Sequence, residues 1–361
     1  MFIVFGAAAI IAFGILIAIH ELGHFTAAKL LGVRVNEFAI GMGPRLLKKQ
    51  GKETVYSLRA LPFGGFCALE GDNDVSEDPR AFISQKRWRR IIILAAGSIA
   101  NFVAAFIVIV VLTAGNQAYG GTTIVNLVDG FPNEGVHGLM AGDKIVSING
   151  EKLYYADDFR MFMGISESRG VGVADLVIQR GSETITLNRF PLEQREYTED
   201  GETNIRYGIT FNRIEASAIE HLKFSGYTAM NYVRLIRVSL AMLFSGAAGI
   251  QDFTGPVGIV DTMIDIGQTS ALEYGILAAF GNIVYFMAFI GVNLAVVNML
   301  PIPAMDGGRI LFTIISWVIE KITRRKLDPK YERYINTAAF LLLMGFMIFV
   351  VVNDVVKIIN R

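Results

Sequence analysis

The chain has 361 residues, 53% of them hydrophobic, and its Lys+Arg 33 balance its Asp+Glu 33 for a formal net charge of +0. A mean hydropathy of +0.46, with the apolar residues gathered into long runs, places it among membrane proteins rather than soluble globules. The charge balance argues against a nucleic-acid partner, which favours a basic stripe, and a single cysteine, Cys67, excludes an internal disulfide framework and a cysteine-rich metal site.

The first apolar run, 1–19, lacks a positive leading segment and a small-x-small cleavage site, so it reads as a retained transmembrane helix. That helix continues to about residue 31. Further spans are predicted at 91–114, 275–300 and 337–356, each near or above the ~20 residues that cross the hydrocarbon. The fold class expected is therefore an α-helical polytopic membrane protein with about four transmembrane helices.

Between the first two spans lies a loop, 34–90, carrying Arg34, Arg45, Lys48, Lys49, Lys52 and Arg59 and ending in Lys86-Arg87-Trp88-Arg89-Arg90. A second basic segment, 313–336, holds Lys321, Arg324, Arg325, Lys326 and Lys330. The positive-inside rule makes both cytoplasmic, and 115–270 with both termini extracytoplasmic. Within the first loop, 54–58 and 64–69 are strand-like runs on either side of Pro62, read as a hairpin close to the membrane.

The region 115–190 is β-rich. Strands are expected at 123–128, 144–148, 175–179 and 183–187, with a short helix at 156–163 and turns at Asn149-Gly150 and Arg180-Gly181-Ser182. The stretch GLMAGDKIVSING (138–150) resembles a recurring segment of bacterial PDZ domains, in one copy. A polar connector at about 190–215 and an amphipathic segment at about 217–245, lying on or near the outer membrane surface, complete an extracytoplasmic block reaching 270.

The chemistry begins with His20-Glu21-Leu22-Gly23-His24, the HExxH pattern. Two imidazoles at i and i+4 share one helical face and can bind one metal ion, with Glu21 placed to hold the proton of a water. Ionisable groups kept inside an apolar helix point to function, because they are costly there. Catalytic zinc takes three protein ligands. His137 and His221 fall outside the membrane by this topology, so the third ligand is expected at Asp306, in Asn298-Met299-Leu300-Pro301-Ile302-Pro303-Ala304-Met305-Asp306-Gly307-Gly308. Pro301 and Pro303 break the helix there, and non-helical backbone at membrane depth is tolerated where it lines a wet cavity. About 18 residues precede His20, roughly 27 Å of helix, which sets the motif near the cytoplasmic side.

In order and spacing, HELGHFTAAKLLGVRVNEFAIGMGP, the GlyGlyPhe run, the PDZ-like segment, FTGPVGI (253–259) and NMLPIPAMDGG resemble the bacterial site-2 proteases, a family of intramembrane zinc metalloproteases, and within it the single-PDZ members of the RseP/RasP group. The resemblance covers nearly the whole chain. One departure is Ala304-Met305, where a Leu before the Asp is common. The resemblance implies one Zn2+ held by His20, His24 and Asp306, Glu21 as general base, and Asn298 against the substrate backbone or the developing oxyanion. It implies cleavage of transmembrane helices of single-pass membrane proteins in a bacterial inner membrane, in regulated intramembrane proteolysis such as release of an anti-sigma factor or removal of signal-peptide remnants. Gly64, Gly65 and Phe66 are candidates for strand pairing with an unwound substrate. A C-terminal peptide or an ectodomain is the candidate partner at the PDZ domain, alongside membrane lipid, with no nucleic acid. Two other readings are an inactive zinc or PDZ scaffold, which would need no general base, and a metal or proton transporter, for which no inverted repeat is visible.

Overall fold

In a computed structural model, all residues are described except 73–75, 169–171, 200–201, 248, 250–253, 325–328 and 360–361. Phe253 of FTGPVGI, Arg325 and Lys326 thus lie outside the described residues. The chain divides into two compact units, Met1–Ile109 with Ala248–Arg361, and Val110–Ala247.

The first unit opens with α1 (Phe2–Leu30), an apolar helix that stops where Leu31-Gly32 turns the chain. Two long strands follow, β1 (Val35–Gln50) and β2 (Val55–Leu69), paired antiparallel. The two strand-like runs expected to form a hairpin with each other are instead successive parts of β2, and both pair with β1. Residues 37–40 of β1 have partners on both sides, 65–68 on one and 55–58 on the other, while 45–50 pair with 55–59. The strands fold back because Gly41 and Gly43 take φ of 85° and 81°, which glycine adopts without steric cost. Among the described residues no strand pairs with the other side of Gly65–Leu69, which remains an open edge.

Helix α2 (Arg87–Thr113) begins in this unit. The chain returns to the unit at α5 (Pro256–Tyr274), and α6 (Ile276–Asn298), α7 (Asp306–Thr323) and α8 (Pro329–Ile359) complete it. Among the described residues four helices are long and apolar enough to cross a membrane, Phe2–Leu30, Arg87–Thr113, Ile276–Asn298 and Arg333–Ile359, matching the four spans expected. Phe5, Ala9 and Leu16 of α1 pack with Met263 and Ile264 of α5 and with Ile283, Met287 and Ile290 of α6. A second cluster (Ala28, Val33, Val35, Leu69, Phe82, Ile93 and Leu94) locks the end of α1, the hairpin and the start of α2 together. Helix α5 was not foreseen as a separate element, whereas α7 is the helix expected to begin near Gly308. Helix α5 starts with Pro256 at its first turn and ends at Gly275, whose φ of 89° breaks it from α6.

The second unit is a sheet with strand order β10-β3-β4-β6-β7, made of β3 (Ala118–Leu127), β4 (Lys144–Ile148), β6 (Val173–Arg180), β7 (Glu183–Pro191) and β10 (Ile209–Glu215). The short β5 (Glu151–Lys152) joins β4, β8 (Arg195–Glu199) pairs with β9 (Glu202–Arg206), and α3 (Ala156–Ser168) packs on the sheet. Burial alternates along β6, where Ala174, Leu176 and Ile178 face the core, while on β4 the buried Ile145 and Ile148 lie three apart across a register shift. Part of the expected polar connector is β10, an edge strand beside β3. The amphipathic segment forms α4 (Ala218–Phe244), capped by Ser217, and its buried face packs within this unit: Tyr227 stacks on Tyr154, Asn231 donates to Asp158 and Arg234 pairs with Glu151.

Candidate metal centre

His20 and His24 lie one turn apart on α1, and their Nε2 atoms are 3.2 Å apart. Asp306, the first residue of α7, brings its Oδ2 to 3.2 Å from His20 Nε2 and 3.3 Å from His24 Nε2. Among the described residues these three form a group able to hold a metal ion. With both imidazoles neutral and protonated on Nδ1, as ligation through Nε2 requires, Asp306 Oδ2 is buried and has no hydrogen-bond donor among the described residues. Three lone pairs thus converge with no proton between them, which a cation resolves. A tetrahedral Zn2+ with ligand bonds of roughly 2.0–2.1 Å separates its donors by about 3.3 Å. The three residues fit that ion.

The turn before Asp306 is built to place it. Ala304 adopts φ 71°, and its backbone N–H donates to Asn336 Oδ1 of α8 at 3.1 Å. A Cβ on Gly307 would overlap the carbonyls of Met299 and Leu300, and one on Gly308 that of Ile302, so the Gly-Gly pair is a packing requirement. Arg309, one turn on, is ion-paired with Asp72 beyond β2 and stacks over Phe82 at 5.4 Å.

Glu21 lies beside the three groups, within electrostatic reach of His24, His20 and Asp306, and its carboxylate accepts a hydrogen bond from the Cys67 backbone N–H. The site of a Cβ on Gly65 would be 3.4 Å from Glu21 Cγ, so the open edge of β2 runs past this carboxylate. Gly64 and Phe66 flank it, and Arg59 stacks on Phe66 at 4.7 Å. Asn298, at the end of α6, has its Nδ2 3.5 Å from His20 Nε2. His137 and His221 are both in the other unit; His221 is engaged there by the Tyr119 hydroxyl at 2.6 Å and by the Val110 carbonyl at 2.9 Å.

The sequence reading passed over α2. His24 Nδ1 lies 2.8 Å from the Ile93 carbonyl, Asn101 Nδ2 lies 3.4 Å from His20 Nδ1, and a Cβ on Gly97 would overlap both imidazoles. The available signal was the run Ala95-Ala96-Gly97-Ser98 followed by a lone amide in an apolar helix, since small residues admit close approach and buried polar groups in such a helix need a reason.

An HExxH helix and an aspartate from a proline-broken turn, converging among helices able to span a bilayer, define a membrane-bound metallohydrolase. The chain belongs to Peptidase family M50, which it matches over residues 8–346. It is a zinc metalloprotease. It is similar to a Clostridium perfringens protein named as a zinc metalloprotease, 35% identical over 358 residues and 99% of each chain. A Clostridium acetobutylicum protein with the same kind of name is 36% identical, over 98% of this chain and 97% of that one. The regulator of sigma-W protease RasP of Bacillus subtilis is 26% identical, over 99% of this chain and 100% of that one.

Proposed function

We propose that the chain cleaves transmembrane helices of single-pass membrane proteins, with one Zn2+ held by His20, His24 and Asp306. The observation that carries this is the convergence, at 3.2–3.3 Å, of two Nε2 atoms from a helix of spanning length and one carboxylate oxygen from the start of α7. Zinc bound there supplies Lewis acidity, polarising the scissile carbonyl and lowering the pKa of water toward neutrality.

Glu21 acts as general base. Its carboxylate takes a proton from the attacking water and returns it to the leaving amine. Asn298, within 3.5 Å of His20 Nε2, offers an amide N–H to the substrate backbone or to the oxyanion that develops. A membrane helix has its carbonyls satisfied internally and has to unwind before attack. The open edge at Gly64, Gly65 and Phe66 receives the unwound segment by strand addition, which delivers its backbone to Glu21.

The basic loops support an orientation with the catalytic motif toward the cytoplasm of a bacterial plasma membrane and the β-rich unit, read as a PDZ domain, outside. There it meets a C-terminal peptide or an ectodomain. The name of the Bacillus subtilis relative supports regulated intramembrane proteolysis as the setting.

The test compares wild type and Glu21→Gln, purified in detergent, against a helical membrane substrate. The variant is expected to keep one zinc per chain and to lose cleavage by at least ~100-fold, the usual scale of a general base. Undiminished cleavage would sink the assignment.

A further inference from the structure

Ile93, Gly97 and Asn101 stand at i, i+4 and i+8, so they form one stripe on α2. The stripe meets the two histidines of the motif in antiparallel order: Ile93 against His24, Gly97 against both, Asn101 against His20. An imidazole that ligates a metal through Nε2 carries its proton on Nδ1, and that N–H needs an acceptor. For His24 the acceptor is the Ile93 carbonyl at 2.8 Å.

For His20 the partner is Asn101, whose side chain is fully buried. Its Nδ2 stands 3.4 Å from His20 Nδ1, while its Oδ1 is buried without a hydrogen-bond donor. That orientation suits an imidazole protonated on Nε2, the tautomer that cannot join His24 and Asp306 as a ligand. A half-turn of the amide exchanges the two atoms with little change of shape. Among the described residues no donor holds Oδ1 where it stands, so the turn breaks no hydrogen bond to that atom.

We infer that Asn101 is the positioning residue of the metal site: its amide oxygen accepts the Nδ1–H of His20 and so fixes Nε2 as the donor aimed at the metal. Helix α2, which contributes no ligand, thereby supplies the outer partner of both histidines. This rests on the reading of His20, His24 and Asp306 as the zinc ligands.

The experiment measures zinc affinity by chelator competition on the full chain in detergent, for wild type, Asn101→Leu and Asn101→Asp, with the melting temperature of each zinc-free protein. Leucine removes the acceptor at similar volume, and aspartate keeps an acceptor while removing the amide donor. Asn101→Leu is expected to bind zinc 10- to 100-fold more weakly, the usual effect of losing an outer-shell partner, with its zinc-free melting unchanged. Asn101→Asp is expected to hold zinc at least as tightly as wild type. If Asn101→Leu does not fold, the aspartate variant decides alone, retention supporting the inference and loss overturning it. Wild-type affinity in Asn101→Leu, or equal weakening in both variants, would overturn the role of Asn101 and leave the ligand set standing. Absence of zinc from wild type would instead remove the ligand reading, and this inference with it.

Discussion

Gly97 allows the two histidines of α1 to lie against α2, because the space its missing side chain leaves is filled by their rings. Gly23 makes the same concession from the other side, where a Cβ would overlap the Ala96 carbonyl. Gly97→Ala is therefore expected to displace both imidazoles and weaken zinc binding by at least ~10-fold, on the scale of losing an outer-shell contact. Metal content after dialysis against a weak chelator checks this, and full retention would mean that the helices separate without disturbing the site. Cys67, though beside Glu21, is no second nucleophile. Burial, with the Glu21 and Asp72 carboxylates nearby, pushes its thiol up to about 12, so it stays protonated and unreactive at neutral pH.

The β1–β2 hairpin is held by charge. Glu37 accepts from Arg45, Ser57 and Arg59, and Glu53 from Lys29 and Arg80. Burial alone would raise the Glu37 carboxyl, but the bonds from Arg45, Ser57 and Arg59 outweigh it and lower it to about 2. A depressed carboxyl stabilises the fold fully above its unfolded value and progressively less as pH falls toward the folded one. The contribution of Glu37 is thus complete at neutral pH and fades from roughly pH 4.5 downward. Hydrogen exchange over 35–50, corrected for the intrinsic rate, is expected to show wild type opening more at pH 3 than at pH 6. Glu37→Gln should already be more open at pH 6 and change less. A hairpin whose protection is the same in both proteins at both pH values would remove Glu37 from this role. Helix α5 is held in an analogous way, since Asp354 of α8 accepts from the backbone N–H groups of Gly255 and Gly258 at 3.2 and 2.9 Å. A carboxylate at a helix N-terminus satisfies donors that the helix cannot.

The residues of the candidate metal centre all come from one of the two units, and each unit has its own apolar core. Damage to one core should therefore leave the chemistry of the other intact. Phe159, 1% exposed, sits in the core of the β-rich unit. Phe159→Ala is expected to cost that unit about 3–5 kcal/mol, the usual range for an emptied core phenylalanine, while zinc stoichiometry stays at one per chain. Thermal unfolding with a parallel zinc assay checks both halves, and joint loss of zinc and fold would show the units to be coupled.

The four apolar spans and the HExxH motif were legible in the sequence because each is a local pattern: a run of apolar residues long enough for a bilayer, and two histidines at the spacing of one helical turn. The strands at 144–148, 175–179 and 183–187 were legible for the same reason, since alternation and turn residues act between near neighbours. The hairpin was misjudged because pairing is not local. Nothing in 54–58 or 64–69 says that both lie against residues 37–40, which depends on the glycines at 41 and 43 folding β1 back on itself. Asp306 could be named from its broken-helix context, but its distance from His20 exists only once α7 packs beside α1. Ile93, Gly97 and Asn101 carry no motif at all. Their part comes from the face that α2 turns to α1, and a helix face acquires chemistry only from what is packed against it.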